Sequence, residues 1–211
     1  MDRPKQVFAR LELRSARERT VLVSSVVIAL LLLALDQGTK LWVEHSFELH
    51  ESRDLIDGWL ALSYVRNTGA AWSILNDRTW LLLLIGFLAF SAILYFFHYL
   101  TERCAERYFA VFMVLSGIMG NSIDRLWRGA VVDFIDVHHY VVENGVRSYI
   151  WHYPVFNVAD ISICVGVGIF VLSCFTRREL KKTAPDDESV SETGSGVTKD
   201  SSGKLPQDED N

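Results

Sequence analysis

The sequence predicts an all-α membrane protein with four transmembrane helices and a small extracytoplasmic β-containing element. Three observations lead there. Half of the 211 residues are hydrophobic. Four apolar stretches approach the ~20 residues that a helix needs to cross a hydrocarbon core. Lys and Arg gather toward one side of those stretches. A chain of this length holds one domain. The formal net charge of −5 comes mostly from the last ~30 residues, so the body itself gives no reason to expect nucleic acid as a partner.

The first stretch, Val21 to Leu35 (VLVSSVVIALLLLAL), runs on through DQGTK to Leu41, Trp42 and Val43. Trp80 to Leu100 (WLLLLIGFLAFSAILYFFHYL) reads as the one full-length span. Tyr108 to Gly120 (YFAVFMVLSGIMG) continues through Asn121 to Leu126, and Ile161 to Phe175 (ISICVGVGIFVLSCF) follows directly on FNVAD. Three of the four reach adequate length only by including a polar cluster at one end. Polar groups at membrane depth are costly and face a protein interior or a wet cavity, which marks function.

Arg3, Lys5, Arg10, Arg14, Arg17 and Arg19 precede the first helix, Arg103 and Arg107 lie between the second and third, and Arg177, Arg178, Lys181 and Lys182 follow the fourth. The excess of positive charge places both termini in the cytoplasm. The clusters at Asp36, Asn121 to Arg125 and Asn157 to Asp160 then share the outer end, where they meet. The first apolar run leads into DQGTK and not into a small-residue cleavage site, so it is expected to stay in the protein. Residues 1–20 form a basic cytoplasmic segment, 21–178 the four-helix transmembrane domain, and 179–211, rich in Ser, Thr, Asp, Glu and Gly, a disordered cytoplasmic tail.

Between Glu44 and Thr79 the alternation LALSYV and the turn signals Asp57-Gly58 and Asn67-Thr68-Gly69 predict a strand-containing element, and AVVDFID (Ala130 to Asp136) alternates in the same way. Cys104, Cys164 and Cys174 show no CxxC spacing, so they read as small buried hydrophobes with neither disulfide nor zinc.

No GxSxG, HExxH or phosphate-binding glycine loop is present, which removes the commonest serine, zinc and nucleotide chemistries. His138, His139 and Glu143 read as surface loop residues and not as a metal site, and no cofactor is expected. Carboxylates remain: Asp36, Asp124, Asp133, Asp136 and Asp160 lie near the outer boundary. Two neighbouring aspartates cannot both ionise, so one keeps its proton while the other acts as base, a pair able to activate water against an amide. Spacing alone leaves open which two. Asp124, beside Arg125, reads as a carboxylate held by a local ion pair. Asp160 opens the fourth helix and reads equally as an N-terminal cap. Asp133, flanked by apolar residues on the strand face opposite Val132, Phe134 and Asp136, is the better acid.

In order along the chain, DQGTK (Asp36 to Lys40), RNTGAAWSIL (Arg66 to Leu75), GNSIDRLWRGAVVDFID (Gly120 to Asp136) and FNVADISICVG (Phe156 to Gly166) resemble the motifs of the lipoprotein signal peptidase, or signal peptidase II, family. The resemblance implies an intramembrane aspartyl endopeptidase of the bacterial cytoplasmic membrane. Its substrate would be a diacylglyceryl-modified prolipoprotein, cut on the amino side of the lipidated cysteine. It also implies Asp133 and Asp160 as the catalytic pair. Asn67, Gly69, Asn121, Asp124, Arg125 and Asn157 would position substrate or brace the pair, with Asp36 and Lys40 as support. Membrane lipids are the surroundings, and a monomer is the default. The chain departs from the family in Trp72, in a longer connection VHHYVVENGVRSYIWHYPV, which reads as a loop, and in the tail after Lys182. The alternative is a four-helix proton-coupled transporter or channel subunit, which predicts polar residues throughout the bilayer depth. Here they cluster at one end.

Overall fold

In a computed structural model, which describes residues 3–69, 78–102, 104–143 and 146–183, the first apolar stretch is the middle of one long helix, α1 (Arg3–Ser46). The Arg-, Ala- and Leu-rich sequence before Val21 favours helix, and residues 3–20 are helical without a break into the apolar stretch. Expectations that rest on Trp72, on Arg103 and on the tail from residue 184 onward lie outside the described residues.

After α1 come β1 (Ser52–Ile56) and β2 (Leu60–Asn67). The stretch read as the one full-length span is two helices, α2 (Thr79–Tyr95) and α3 (Phe97–Thr101). Phe96, at ψ 10°, leaves helical geometry between them. The turn seats the Phe97 ring edge-on against Tyr108 and Phe112, 5.7 and 5.6 Å between centroids, and buries Thr101. Then follow α4 (Ala105–Trp127), β3 (Val131–Glu143), β4 (Val146–His152) and α5 (Val158–Thr183). The last helix passes residue 178 because RRELKK is itself helix-forming sequence.

Among the described residues three helices are long and apolar enough to cross a membrane: Ser15–Ser46 within α1, α4, and Val158–Thr176 within α5. α2 is apolar but only 17 residues long. Leu30, Leu31, Phe87, Leu88, Leu172 and Phe175 are all exposed, an apolar exterior suited to lipid. Cys164 and Cys174 are exposed as well, contrary to the expected burial, while Cys104 is buried.

Small residues set the approach of α1 and α5 to α4. A Cβ on Gly117 would overlap the Ala159 carbonyl oxygen, one on Gly120 would lie 2.5 Å from Asp36 Oδ2, and one on Gly166 would lie 2.7 Å from the Ala110 carbonyl oxygen. Without a hydrophobic drive between helices in lipid, this close packing is a main source of association.

The strands form an antiparallel sheet in the order β1-β2-β3-β4. The first half of β3 pairs with β2, from Asn67↔Val131 to Leu60↔Val137. The second half pairs with β4, from His138↔His152 to Glu143↔Val146. The connection expected as a loop is therefore a β-ribbon. Val43 and Phe47 at the end of α1 pack with Tyr64, Val132 and Phe134 into a core that seats the sheet on the helices.

Gly120→Ala is expected to destabilise the protein by about 1–3 kcal/mol through overpacking. Gly168→Ala, whose Cβ meets nothing within 4 Å, should be neutral or slightly stabilising. Thermal unfolding of both variants in one detergent checks the contrast.

Candidate active site

The polar clusters that end the short spans do meet. Asp36 and Lys40 are one helical turn apart on α1, a spacing that puts them on one face, and Lys40 Nζ lies 2.9 Å from Asp36 Oδ2. From α4, Asp124 Oδ2 approaches the same ammonium at 2.8 Å, and Asn121 Oδ1 accepts its third hydrogen bond at 3.1 Å. All three charged side chains are fully buried. Asp36 Oδ1 accepts the backbone N–H of Ala159 at 2.9 Å, one of the donors that the first turn of a helix leaves unpaired. Asp124 Oδ2 accepts the Val132 N–H at 3.3 Å. One lysine thus ties α1 and α4 together, and its two carboxylates reach on to α5 and β3.

Arg125 is not the partner expected for Asp124. Neighbours in sequence do not share a helix face; residues four apart do. Asp124 Oδ1 pairs with Arg128 Nη1 at 2.7 Å, and Arg128 goes on to Glu44 at 2.8 Å and Gln37 Oε1 at 3.2 Å. Gln37 Nε2 closes the ring onto Asp124 Oδ1 at 3.2 Å. Gln37, Glu44 and Arg128 were passed over in the sequence, although the four-residue step from Asp124 to Arg128 was legible. Arg125 instead donates to the carbonyl oxygens of Gly69 at 3.0 Å and Asn121 at 3.3 Å. Its Nε is buried without a hydrogen-bond partner.

On this frame sit Asp133 and Asp160. Asp133, buried on β3, accepts from Asn67 Nδ2 at 2.9 Å and from Asn157 Nδ2 at 2.7 Å, one on each oxygen. Asn67 is held in turn by a turn of its own, its Oδ1 accepting the Gly69 N–H at 2.9 Å, as Asn side chains commonly do. Asn157 is the N-cap of α5: its Oδ1 accepts the Asp160 N–H at 3.0 Å, while Asp160 Oδ2 accepts the Asn157 N–H at 3.2 Å. This is a reciprocal capping box, so Asp160 does cap its helix, but as the third residue and with one oxygen only. Its Oδ1 accepts from Asn121 Nδ2 at 2.8 Å. Asn157 therefore touches both carboxylates, and Asn121 joins Asp160 to Lys40. Burial, reinforced by the negative charge of Asp160, pushes the Asp133 carboxyl up to about 7 against the hydrogen bonds from Asn67 and Asn157.

All ten residues singled out for the site fall within this one network. The expectation of His138 and His139 as surface loop residues does not hold, since both lie on β3. His138 is buried on β3, not a surface loop residue, and its neighbours are Asp136 and His152. His139 stacks on Trp59 at 4.3 Å between centroids. The Glu143 side chain lies outside the described residues. Asp136 stands on the opposite face of β3 from Asp133, accepting from Ser63 Oγ at 2.8 Å, and takes no part in the network.

Replacing Lys40 by Met leaves the buried Asp36 without a counter-charge and Asp124 with Arg128 alone, and stranding a buried charge in this way costs about 3–5 kcal/mol. Denaturant or thermal unfolding of Lys40→Met should show a loss of that size, and a shift below about 1 kcal/mol would mean the ammonium is not the tie described here.

Residues 28–176 match the signal peptidase (SPase) II family. The chain is 38% identical over 159 residues to the lipoprotein signal peptidase of Halalkalibacterium halodurans, covering 74% of this chain and 95% of that one. It is 38% identical over 156 residues to that of Bacillus subtilis, covering 74% and 96%. Among solved structures it resembles a bacterial membrane enzyme determined by the in meso method at 2.3 Å resolution. The TM-score is 0.65 and the identity 29%, over 76% of this chain and 92% of the other. A second, at 1.9 Å, gives a TM-score of 0.59 with 30% identity over 72% and 92%. With its membrane-type helices and polar network in place, the chain belongs to the signal peptidase II family.

Proposed function

We propose that this chain is an intramembrane aspartyl endopeptidase that removes the signal peptide from diacylglyceryl-modified prolipoproteins, cutting on the amino side of the lipidated cysteine. The observation that carries the reading is a buried Asp133 with its carboxyl raised to about 7, joined through one asparagine to the anion-favouring first turn of α5 at Asp160. The raised carboxyl of Asp133 marks it as the acid and leaves the role of base to its neighbour. Asp160, near the positive end of the helix dipole, is the base that takes a proton from water. Asp133, protonated, donates to the scissile carbonyl oxygen as the water attacks carbon. The proton on Asp160 then passes to the leaving amine as the C–N bond breaks, and Asp133 takes back a hydroxyl proton from the tetrahedral intermediate. Asn67 and Asn157 hold the acid. Asn121 holds the base. The buried Arg125 Nε–H without a partner suits a substrate carbonyl.

The substrate comes laterally from the bilayer. Each acyl CH₂ that stays in lipid contributes roughly 0.8 kcal/mol, so the two chains anchor the peptide and the protein sets only its register. An apolar cavity lined by Ile93, Ala110, Val111, Val114, Val167 and Phe170 offers a place for the hydrophobic part of the signal peptide. In this reading α2 is a fourth, short crossing of about 26 Å at 1.5 Å per residue, both termini are cytoplasmic, and the site lies near the outer face. The transporter alternative needs polar groups through the whole depth, whereas the network lies at one end of α1, α4 and α5.

Purified protein in detergent, with chelator present, should cleave a diacylglyceryl prolipoprotein before the modified cysteine. Asp133→Asn and Asp160→Asn should each lower kcat/KM by at least about 100-fold while staying folded. Full activity of either variant removes it from the pair, and equal cleavage of the unlipidated precursor removes the lipid from recognition. The sign of the pH dependence follows from Asp133: the pair works with one proton, and that proton leaves as pH rises through about 7. The rate should therefore fall on the alkaline side with an apparent pKa near that value, a property of the coupled pair. A profile flat from about pH 6 to 9 contradicts it.

A further inference from the structure

The ribbon formed by β3 and β4 brings together three side chains that the proposed chemistry does not use. Asp136 and His138 are two residues apart on β3 and so share a face. His138 and His152 are cross-strand partners at the base of the ribbon, the register in which facing side chains are closest. Asp136 Oδ1 lies 2.9 Å from His138 Nδ1 and 3.0 Å from His152 Nε2, and the three ligating atoms lie within 4.8 Å of one another. We propose that Asp136, His138 and His152 form a binding site for one divalent transition-metal ion of the zinc class.

The donor set suits that ion: two imidazole nitrogens and one carboxylate oxygen are three protein ligands of a tetrahedral site, with the fourth position left to water. Ligand–ligand edges in such a site are about 3.3 Å for bonds of 2.0–2.1 Å, so the observed 2.9 and 3.0 Å separations need open by only a few tenths of an ångström. The surrounding groups are arranged as metal sites arrange them. Ser63 Oγ donates to Asp136 Oδ2 at 2.8 Å, which fixes the carboxylate and turns Oδ1 toward the imidazoles. His138 is 2% exposed and its Nε2 is buried with no hydrogen-bond partner. Its nearest carboxylate is Asp54 Oδ1 at 4.0 Å, and Asp54 is itself held by Arg147 at 2.9 Å. With Nδ1 on a metal the ring proton must sit on Nε2 and point outward to such a carboxylate, the usual partner of a ligating histidine. A plain hydrogen-bonded triad, with the proton on Nδ1, leaves that buried nitrogen without any role. Tyr140 stacks on His138 and Tyr149 meets it edge-on, at 5.4 and 5.5 Å between centroids. His152 is exposed, which leaves the ion a way in. A two-stranded ribbon is marginally stable by itself, and an ion bound by both strands at its base would pin it to the sheet.

The test uses the full chain without a polyhistidine tag, stripped with chelator in detergent and titrated with zinc. About one zinc ion per chain should bind, the unfolding temperature should rise on binding, and cobalt should give the visible absorption of tetrahedral coordination. His152→Ala, at an exposed position where folding is not at stake, and Asp136→Asn should each weaken zinc binding at least about 10-fold. His139→Asn, one residue from a ligand but turned to Trp59, should not. Absence of stoichiometric binding, equal binding in wild type and His152→Ala, or equal weakening in His139→Asn overturns the site. So does a stability that follows pH through the histidine range but ignores zinc.

Discussion

Everything at the polar end of the helices leans on one buried ammonium. Lys40 sits between Asp36 and Asp124 with no exposure to solvent, and a buried charge persists only where opposite charges and hydrogen bonds surround it. The lysine therefore dictates where α4 can stand relative to α1. Its two carboxylates pass the constraint on, one to the Ala159 N–H at the start of α5 and the other to the Val132 N–H at the start of β3. The residues flanking those two donors are Asp160 and Asp133. The proposed acid and base are thus each one residue from an atom whose place the ion cluster sets, a route to rigid preorganisation that needs no metal at the peptide bond.

Much of this was legible in the sequence because it is local. The four-residue step between Asp36 and Lys40, the NVAD box at the start of α5 and the alternation of AVVDFID each encode their own geometry. Where reading failed, the missing information was a choice between near neighbours or a long-range register. Asp124 had both Arg125 and Arg128 within reach, and only helical geometry decides for the second. The break after Tyr95 carries neither Gly nor Pro; it comes from packing of Phe97 against α4, which no local pattern reports. The ribbon had a signal in the Asn-Gly pair between two runs of alternating character. The meeting of His138 with His152, fourteen residues on, depends on the strand register and on a shift between His139 and Tyr140, and no motif announces it.

The sheet also separates two polar sites by the simplest device available. Successive side chains of a strand point to opposite faces, so Asp133 and Asp136 belong to different networks although three residues apart. One is gripped by asparagines from β2 and the α5 cap, the other by a serine and two histidines. A one-residue slip of β3 would exchange them, and the pairing of its first half with β2 guards against that.

The reciprocal cap at the start of α5 has a further consequence for how such a protein is born. Asp160 is held by the same two hydrogen bonds that begin its helix, so the proposed base acquires its place in the act of helix nucleation, the slow and costly step of making any helix. Fraying of that first turn would leave the carboxylate on Asn121 alone and the N-cap amide on its contacts to Asp133 and α4. The start of α5 and the placing of the proposed base are then one structural event.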